Sequence, residues 1–400
     1  NRLLRTKSIH SVIIMLRLLS GAWDFRLLLS ALLLWSSNIM TAAQAAIESV
    51  AASRLDALTA SVGHETEYLT VGGFYRQGDG GGARYRRFHG RHVEGPWAFR
   101  SADGAIWEIE GGSGAIDVRQ VGARGDGVSF DGDAIQAALG RFRTVYIPGG
   151  DWIVDTIDVP ERALVRTDGS RTFLRQRPQI GVGKPIVRVL GGQTTIEALS
   201  LRGNIVSDEG EWNAGITVIA DKKKGNLTDI RIGKVEATDI RGDAIYLGAR
   251  DGHMLQRVVI DGVEGNNILR NVLSIVGGST IDVGFVKASR IGYKAFDIEP
   301  EPYSQPVTDV RVGSVVGGCV QIAAASAAVA ADLITIDRII VDGSNINNSS
   351  PQYTKSDCAD GLVLRNVKRL NIGELSVNNV ATAIRAVYNR GEIGSNDISI

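Results

Sequence analysis

The chain has 400 residues, with 44 Lys and Arg against 44 Asp and Glu, so its formal net charge is zero. That balance argues against a protein built to grip nucleic acid, which needs a basic excess to displace counterions. A hydrophobic content of 44 % excludes a disordered chain and is ample for a large core.

Glycine is the outlier, at 48 residues with no G-X-Y period and only 9 Pro. The absence of that period excludes collagen, and the glycines read as turns joining many short strands. Cys319 and Cys358 are too few for a disulfide scaffold or a cysteine-based zinc site. Five scattered His leave little room for a His-rich metal centre, so no metal ligands are assigned.

Residues 1–39 differ from the rest. Arg2, Arg5, Lys7, Arg17 and Arg26 precede the apolar run Leu27–Trp35, and Ala43-Gln44-Ala45 follows. These are the three parts of a secretory signal, with a membrane anchor as the rival reading. The chain opens on Asn, and Met40 makes a sensible start, so 1–39 also reads as mistranslated upstream sequence. The last residues stop in a strand-like alternation, which suggests a truncated C-terminus.

Residues 40–66 are Ala-rich with Ile47, Val50, Leu55 and Leu58 at helical spacing, and predict a helical lead-in. Residues 67–112 read as a small β module, with Tyr68–Tyr75 and Ala83–Phe88 joined by Gly78-Asp79-Gly80-Gly81-Gly82. A phosphate loop needs a helix after the glycines, and none follows. Ile116–Val121 reads as a strand, and Asp131 as the N-cap of a short helix through Leu139.

From 113 to 400 an irregular repeat takes over. Runs such as Gly215–Val218, Ala244–Leu247, Val272–Ile275, Ala295–Ile298, Cys319–Ile322, Gly361–Leu364 and Ala383–Ala386 follow one another at steps of 29, 28, 23, 24, 42 and 22 residues. Between them recurs a second strand type at 230–235, 258–263, 281–286, 310–315 and 370–375. Units this short cannot bury an apolar side alone, but stacked about 4.8 Å apart they fill one long core. The fold class is therefore all-β: a single-stranded parallel β-helix solenoid with a short N-terminal capping helix. Second and fourth positions of each run are apolar and point inward. Third positions form an outward row: Thr217, Tyr246, Ser274, Asp297, Gln321, Val363 and Arg385. The Asn- and Ser-rich stretch 344–360 accounts for the 42-residue step by looping out.

The stretch Val118–Gly127, with Asp131, Ala134–Ala138 and Val145–Gly150, resembles the opening of the pectate lyase-like superfamily, which includes phage tailspike depolymerases and family 28 polygalacturonases. The resemblance covers about 40 residues, with the later coils agreeing in pattern only. It implies a right-handed coil, in keeping with the general handedness of parallel crossovers. It also implies action on polysaccharides as lyase, hydrolase or binder.

Asp297 and Glu299 are the leading catalytic candidates. Two apart on a strand, they share a face with backbones roughly 7 Å apart, which suits the carboxyl separations of retaining and inverting glycosidases. Mutual repulsion would raise one pKa and divide the roles of acid and base. Asp243 is third: Gly242-Asp243-Ala244 is reminiscent of the Gly-Asp-Asp-Cys of polygalacturonases, although Ala244 stands at the second acid. Candidate substrate-binding residues are Lys294, Tyr246, Gln321, Arg250, Trp212 and Tyr303. The reading is a polysaccharide hydrolase needing no cofactor. The alternatives are a lyase or epimerase on uronates, aided by Ca²⁺, and a non-catalytic glycan-binding spike. Calcium takes about 6–8 oxygens, of which Asp243, Asp251, Asp297 and Glu299 supply part. The expected partner is a polysaccharide, with neither nucleic acid nor stable membrane insertion once the leader is removed. A helical lead-in before a β-helix often goes with trimers, which makes a homotrimer the candidate assembly without fixing it. The protein is expected to be secreted or carried on a phage tail.

Overall fold

The computed structural model describes residues 48–90, 95–111, 114–178, 181, 183–205, 212–345, 358–387 and 397–400. The expected signal, anchor or mistranslated leader at 1–39 lies outside these residues. The described part of the expected helical lead-in is instead a strand, Glu48–Ala51, and a six-residue helix, Arg54–Thr59. Pairing explains the difference, because Glu48–Ala51 runs parallel to Tyr68–Val71 at the edge of a five-stranded sheet. Ala83–Phe88, Ile106–Ile109 and Ala98–Arg100 complete that sheet in antiparallel order, over buried Tyr85, Phe99 and Trp107.

Ile116–Val121 is not one strand. Only Ile116–Asp117 pairs, and Val118–Val121 winds into a 3-10 turn closed by an Asp117/Gln120 capping box. The capping helix follows at Gly132–Arg141 and buries Ile135, Ala138 and Leu139 against the first coil. Asp131 stands at its N-cap but does not cap it. Its carboxylate turns back to accept the N–H groups of Arg124 and Gly125.

The solenoid is as the repeat predicts. Among the described residues, one nine-stranded parallel sheet stacks the short runs from Ile157–Val159 through Ile216–Ala220, Ile245–Ala249, Leu273–Ile275, Phe296–Ile298 and Val320–Ala323 to Asp360–Arg365 and Thr382–Ala386. Its register sets Thr217, Tyr246, Ser274, Asp297, Gln321, Val363 and Arg385 opposite one another on successive rungs. Inward neighbours such as Ile245, Leu247, Phe296 and Ile298 are fully buried.

The second strand type is longer than its hydrophobic alternation suggests. Leu227–Ile240, Leu255–Ile268 and Gly278–Ile291 each run fourteen residues in a fifteen-stranded sheet. Each turns a corner at a left-handed residue, and these stack as a column: Asp229, Arg257, Thr280, Asp309 and Leu333, at φ of 53° to 59°. One such residue breaks the period-two alternation, so a single strand serves two walls of the coil.

The 42-residue step hides a further strand. Asp332–Asp342 pairs with both Val307–Gly317 and Leu370–Asn378. The expected looping-out of 344–360 falls largely on 346–357, outside the described residues. Cys319 and Cys358, separated by 39 residues across this step, form a disulfide. They are no scaffold, but they do pair.

Candidate active site: a buried charge cluster on the outer row

The outward row is sealed at its centre. Asp297 is 2 % exposed, although its side chain points away from the core. An outward place on the row therefore does not make Asp297 accessible, and Glu299 is half-buried at the end of the same rung. One physical reason is the segment after the strand. Glu299 N–H donates to Ile275, and the turn then doubles back so that Gln305 N–H reaches Ala249 and Ser304 bridges Arg250, two rungs away. Pro300 also accepts the Ala325 N–H from the rung ahead.

A second reason is a polar column in the connections that lead into these strands. Asp243, Asn271 and Lys294 occupy the same position, two residues before the paired Ile245, Leu273 and Phe296. Each reaches back for its predecessor. Asn271 N–H donates to Asp243 Oδ1 at 3.0 Å, and Lys294 N–H donates to Asn271 Oδ1 at 3.0 Å. The Asn271 amide then donates to Ser274 Oγ at 2.9 Å and to Asp297 Oδ2 at 3.3 Å. Arg270 stands beside it, its Nε 3.7 Å from Asp243 Oδ1. Buried polar groups need such partners, and this column supplies them rung by rung.

Asp297 is left with one oxygen, Oδ1, that is buried without a hydrogen-bond partner. Burial is the main cause that pushes its carboxyl well above the ordinary range, and the nearby Glu299 and Asp243 push the same way. Lys294 and Arg270 oppose the rise without cancelling it. Glu299 is raised too, by burial first and then by Glu301, against Arg365, Arg270 and Lys294. Burial therefore favours the protonated form of Asp297, next to a second, more accessible carboxyl.

The other predicted residues divide in two. Lys294 is 3 % exposed, with its ammonium 4.4 Å from the Tyr293 ring centre, and Gln321 is buried one rung beyond Asp297 and accepts from the Tyr293 hydroxyl. Asp243 is buried to the same degree as Asp297, and its Oδ1 accepts the Asn271 N–H. Trp212 and Tyr303 remain exposed, at 45 % and 62 %. Trp212 packs edge-on against half-buried Tyr246, with ring centres 5.6 Å apart. Burial, then Asp243 and Tyr303, drives the Tyr246 phenol upward, so it stays a hydroxyl.

Arg250 and Lys224 both turn to Asp221, at 3.4 and 2.8 Å. Burial works to raise that carboxyl, but Lys224 and the backbone N–H groups of the turn outweigh it and hold it down at about 2. Arg250 is thus tied into a neutralised turn, beside the exposed Lys222 and Lys223.

Arg270 and Asn271 are absent from the predicted site. The signal for them is positional: Gly242-Asp243, Arg270-Asn271 and Tyr293-Lys294 fall at one register in three successive coils. Among the described residues, no group of three or more His, Cys, Asp or Glu side chains converges as metal ligands would.

The chain has a right-handed parallel β-helix fold, which it shares with phage tailspikes. It is similar to the full-length tailspike protein 2 of the Escherichia coli O157:H7 bacteriophage CAB120, with 12 % identity, a TM-score of 0.51, and coverage of 88 % of this chain and 50 % of that one. It is also similar to the tailspike of Acinetobacter baumannii phage AM24, with 12 % identity, a TM-score of 0.50, and coverage of 83 % and 55 %. A tailspike of A. baumannii bacteriophage Fri1, described as a capsular polysaccharide depolymerase, aligns at 11 % identity and a TM-score of 0.44 over 88 % and 75 %. The chain spans about half the length of the first two. No protein-family model and no curated protein matches it.

Proposed function

We propose that the protein modifies an extracellular polysaccharide and that it does so as a glycoside hydrolase, with Asp297 as the general acid and Glu299 as its carboxylate partner. The observation that carries the reading is the burial of one carboxyl, which favours its protonated form, beside a second carboxyl two residues on and closer to solvent. Glycoside cleavage needs that division of labour: a proton for the leaving oxygen, and a base or nucleophile opposite it. Trp212, Tyr246 and Tyr303 offer aromatic faces for sugar rings beside the cluster, and Arg270 and Lys294 set the charge balance around Asp297. Asp243 and Asn271 act as positioning residues. Access to Asp297 requires a rearrangement near the row, for which the turn from Glu301 to Pro306, bonded back to Ala249 and Arg250, is the candidate.

A second reading is favoured by a specific observation. At 2 % exposure Asp297 meets no substrate in the closed arrangement, which suits a glycan-binding spike whose charge cluster is structural. The buried disulfide agrees with an oxidising, extracellular or virion setting on either reading.

Products separate the cases. Incubation with acidic and neutral bacterial polysaccharides gives new reducing ends without ultraviolet absorbance for a hydrolase, and an absorbing unsaturated sugar for a lyase. Binding with neither supports the spike. An absorbing product, or no reducing ends with any glycan the protein binds, would overturn the hydrolase reading.

A further inference from the structure

Away from the outer row, a cavity of about 500 Å³ opens where the N-terminal β module meets the first coil, lined by Tyr75, Arg76, Asp79, Arg119, Arg124 and Asp126. Its size falls in the range of small-molecule sites. Sequence alone made the Gly78–Gly82 segment a turn and nothing more. The structure explains the turn and adds to it: Asp79 is consumed by its own backbone, accepting N–H bonds from Phe74, Tyr75, Arg76 and Gly81 at 2.8 to 3.1 Å. Asp126 is likewise filled by Val128, by the Ser129 N–H and by the Ser129 hydroxyl. Asp79 thus has its acceptor capacity filled inside its own turn, while Asp126 is mostly filled and keeps its charge toward Arg124.

The arginines are arranged the other way. Tyr75 is pinned by its hydroxyl, which donates to the Gly122 carbonyl at 2.8 Å, and the Arg124 guanidinium lies 4.1 Å from its ring centre. Arg119 is gripped by both Asp117 oxygens and lies so close to Gly80 that an added Cβ there would meet its Nη1 at 2.4 Å. Arg124 and Arg76 are exposed, and among the described residues neither makes a close salt bridge, although the Asp126 carboxylate acts on Arg124 at longer range. The cavity therefore presents two exposed guanidinium groups, one of them held in place by stacking on Tyr75, around a volume large enough for a sugar unit.

We infer that this cavity is an oxyanion-binding site, taking the carboxylate, sulfate or phosphate of an acidic saccharide or the free anion of the same chemistry. It stands apart from the Asp297 reading, because its residues and its probes touch only this cavity. Calorimetric titration of the full chain at low ionic strength with glucuronate, glucose 6-sulfate, inorganic phosphate and glucose tests it. The oxyanions are expected to bind and glucose is not. Arg76→Ala with Arg124→Ala weakens the oxyanions by about ten-fold or more, and Arg311→Ala, a distant exposed arginine, changes nothing. Arg124→Lys keeps the charge but loses the fork, so it weakens binding even where the alanine pair loses stability. Tighter binding of glucuronate or the sulfated sugar than of phosphate assigns the site to a glycan, and the reverse order assigns it to a free or phosphorylated anion. Glucuronate binding no tighter than glucose, or an unchanged isotherm in both Arg124→Lys and the alanine pair, would overturn the inference.

Discussion

Replacing Asp297 with asparagine removes a proton-binding group while keeping its shape and its contact with Asn271, which makes its ionisation state measurable. In the folded protein burial holds this carboxyl above its ordinary value, near 3.9 in an unfolded chain. Between those two values the folded state carries a proton that the unfolded state has lost. The contribution of this group is therefore fully present below the unfolded value, falls as pH rises through the window and is gone above the folded value, where the dependence levels off. One such proton gives a slope of at most about 1.4 kcal/mol per pH unit. The Asp297→Asn protein lacks that slope, so its advantage over the parent grows as pH rises from about 4. Glu299, also raised, slopes the same way in both proteins and largely cancels in the difference. Asp221, held low at about 2, contributes below this window and cancels too. Urea unfolding of both proteins from about pH 4 to pH 8 measures the effect. Parallel curves across that range would mean that Asp297 is ionised throughout, and the argument for a buried acid would fail.

Other perturbations probe the scaffold and the site separately. Asn271→Ala strips partners from the Lys294 N–H, Ser274 and Asp297 in a fully buried position, and should destabilise by about 2–5 kcal/mol in urea unfolding; a loss below half a kilocalorie would show that the column is not a support. Leu333→Asn relieves a left-handed leucine at φ 55° that is 43 % exposed, and should stabilise by about 1 kcal/mol, with a higher melting temperature. Cys319→Ser opens a link across 39 residues, and loop entropy puts the loss near 4 kcal/mol, which a reducing agent should reproduce in the parent. Trp212→Ala should weaken glycan binding about three- to ten-fold without moving the melting temperature; equal affinity would remove Trp212 from the binding face.

The solenoid was legible because its signal is local and repeated. Each short run carries apolar residues at its second and fourth positions, and the outer row from Thr217 to Arg385 follows from alternation alone. The corners were not legible, since Arg257, Thr280 and Leu333 bear no mark of a left-handed backbone and the long strands look like short ones. Asp332–Asp342 was missed because the irregular 42-residue step drew attention to the Asn-rich stretch beside it. At the site, the candidates Asp297, Glu299, Lys294 and Gln321 lie on adjacent rungs as the register requires. Their burial was not foreseeable, because it comes from a turn that crosses two rungs and from a column of Asp243, Asn271 and Lys294 lying outside the alternating runs. Sequence periodicity reports which way a side chain leaves the coil, and says nothing of what then folds over it.

The measurement closest to the central claim is the release of reducing ends from a polysaccharide that the protein binds, compared among the parent, Asp297→Asn and Glu299→Gln. General acid–base chemistry at these two carboxyls predicts a loss of about 100-fold or more in each variant, with glycan binding retained. Undiminished release from both variants would contradict it.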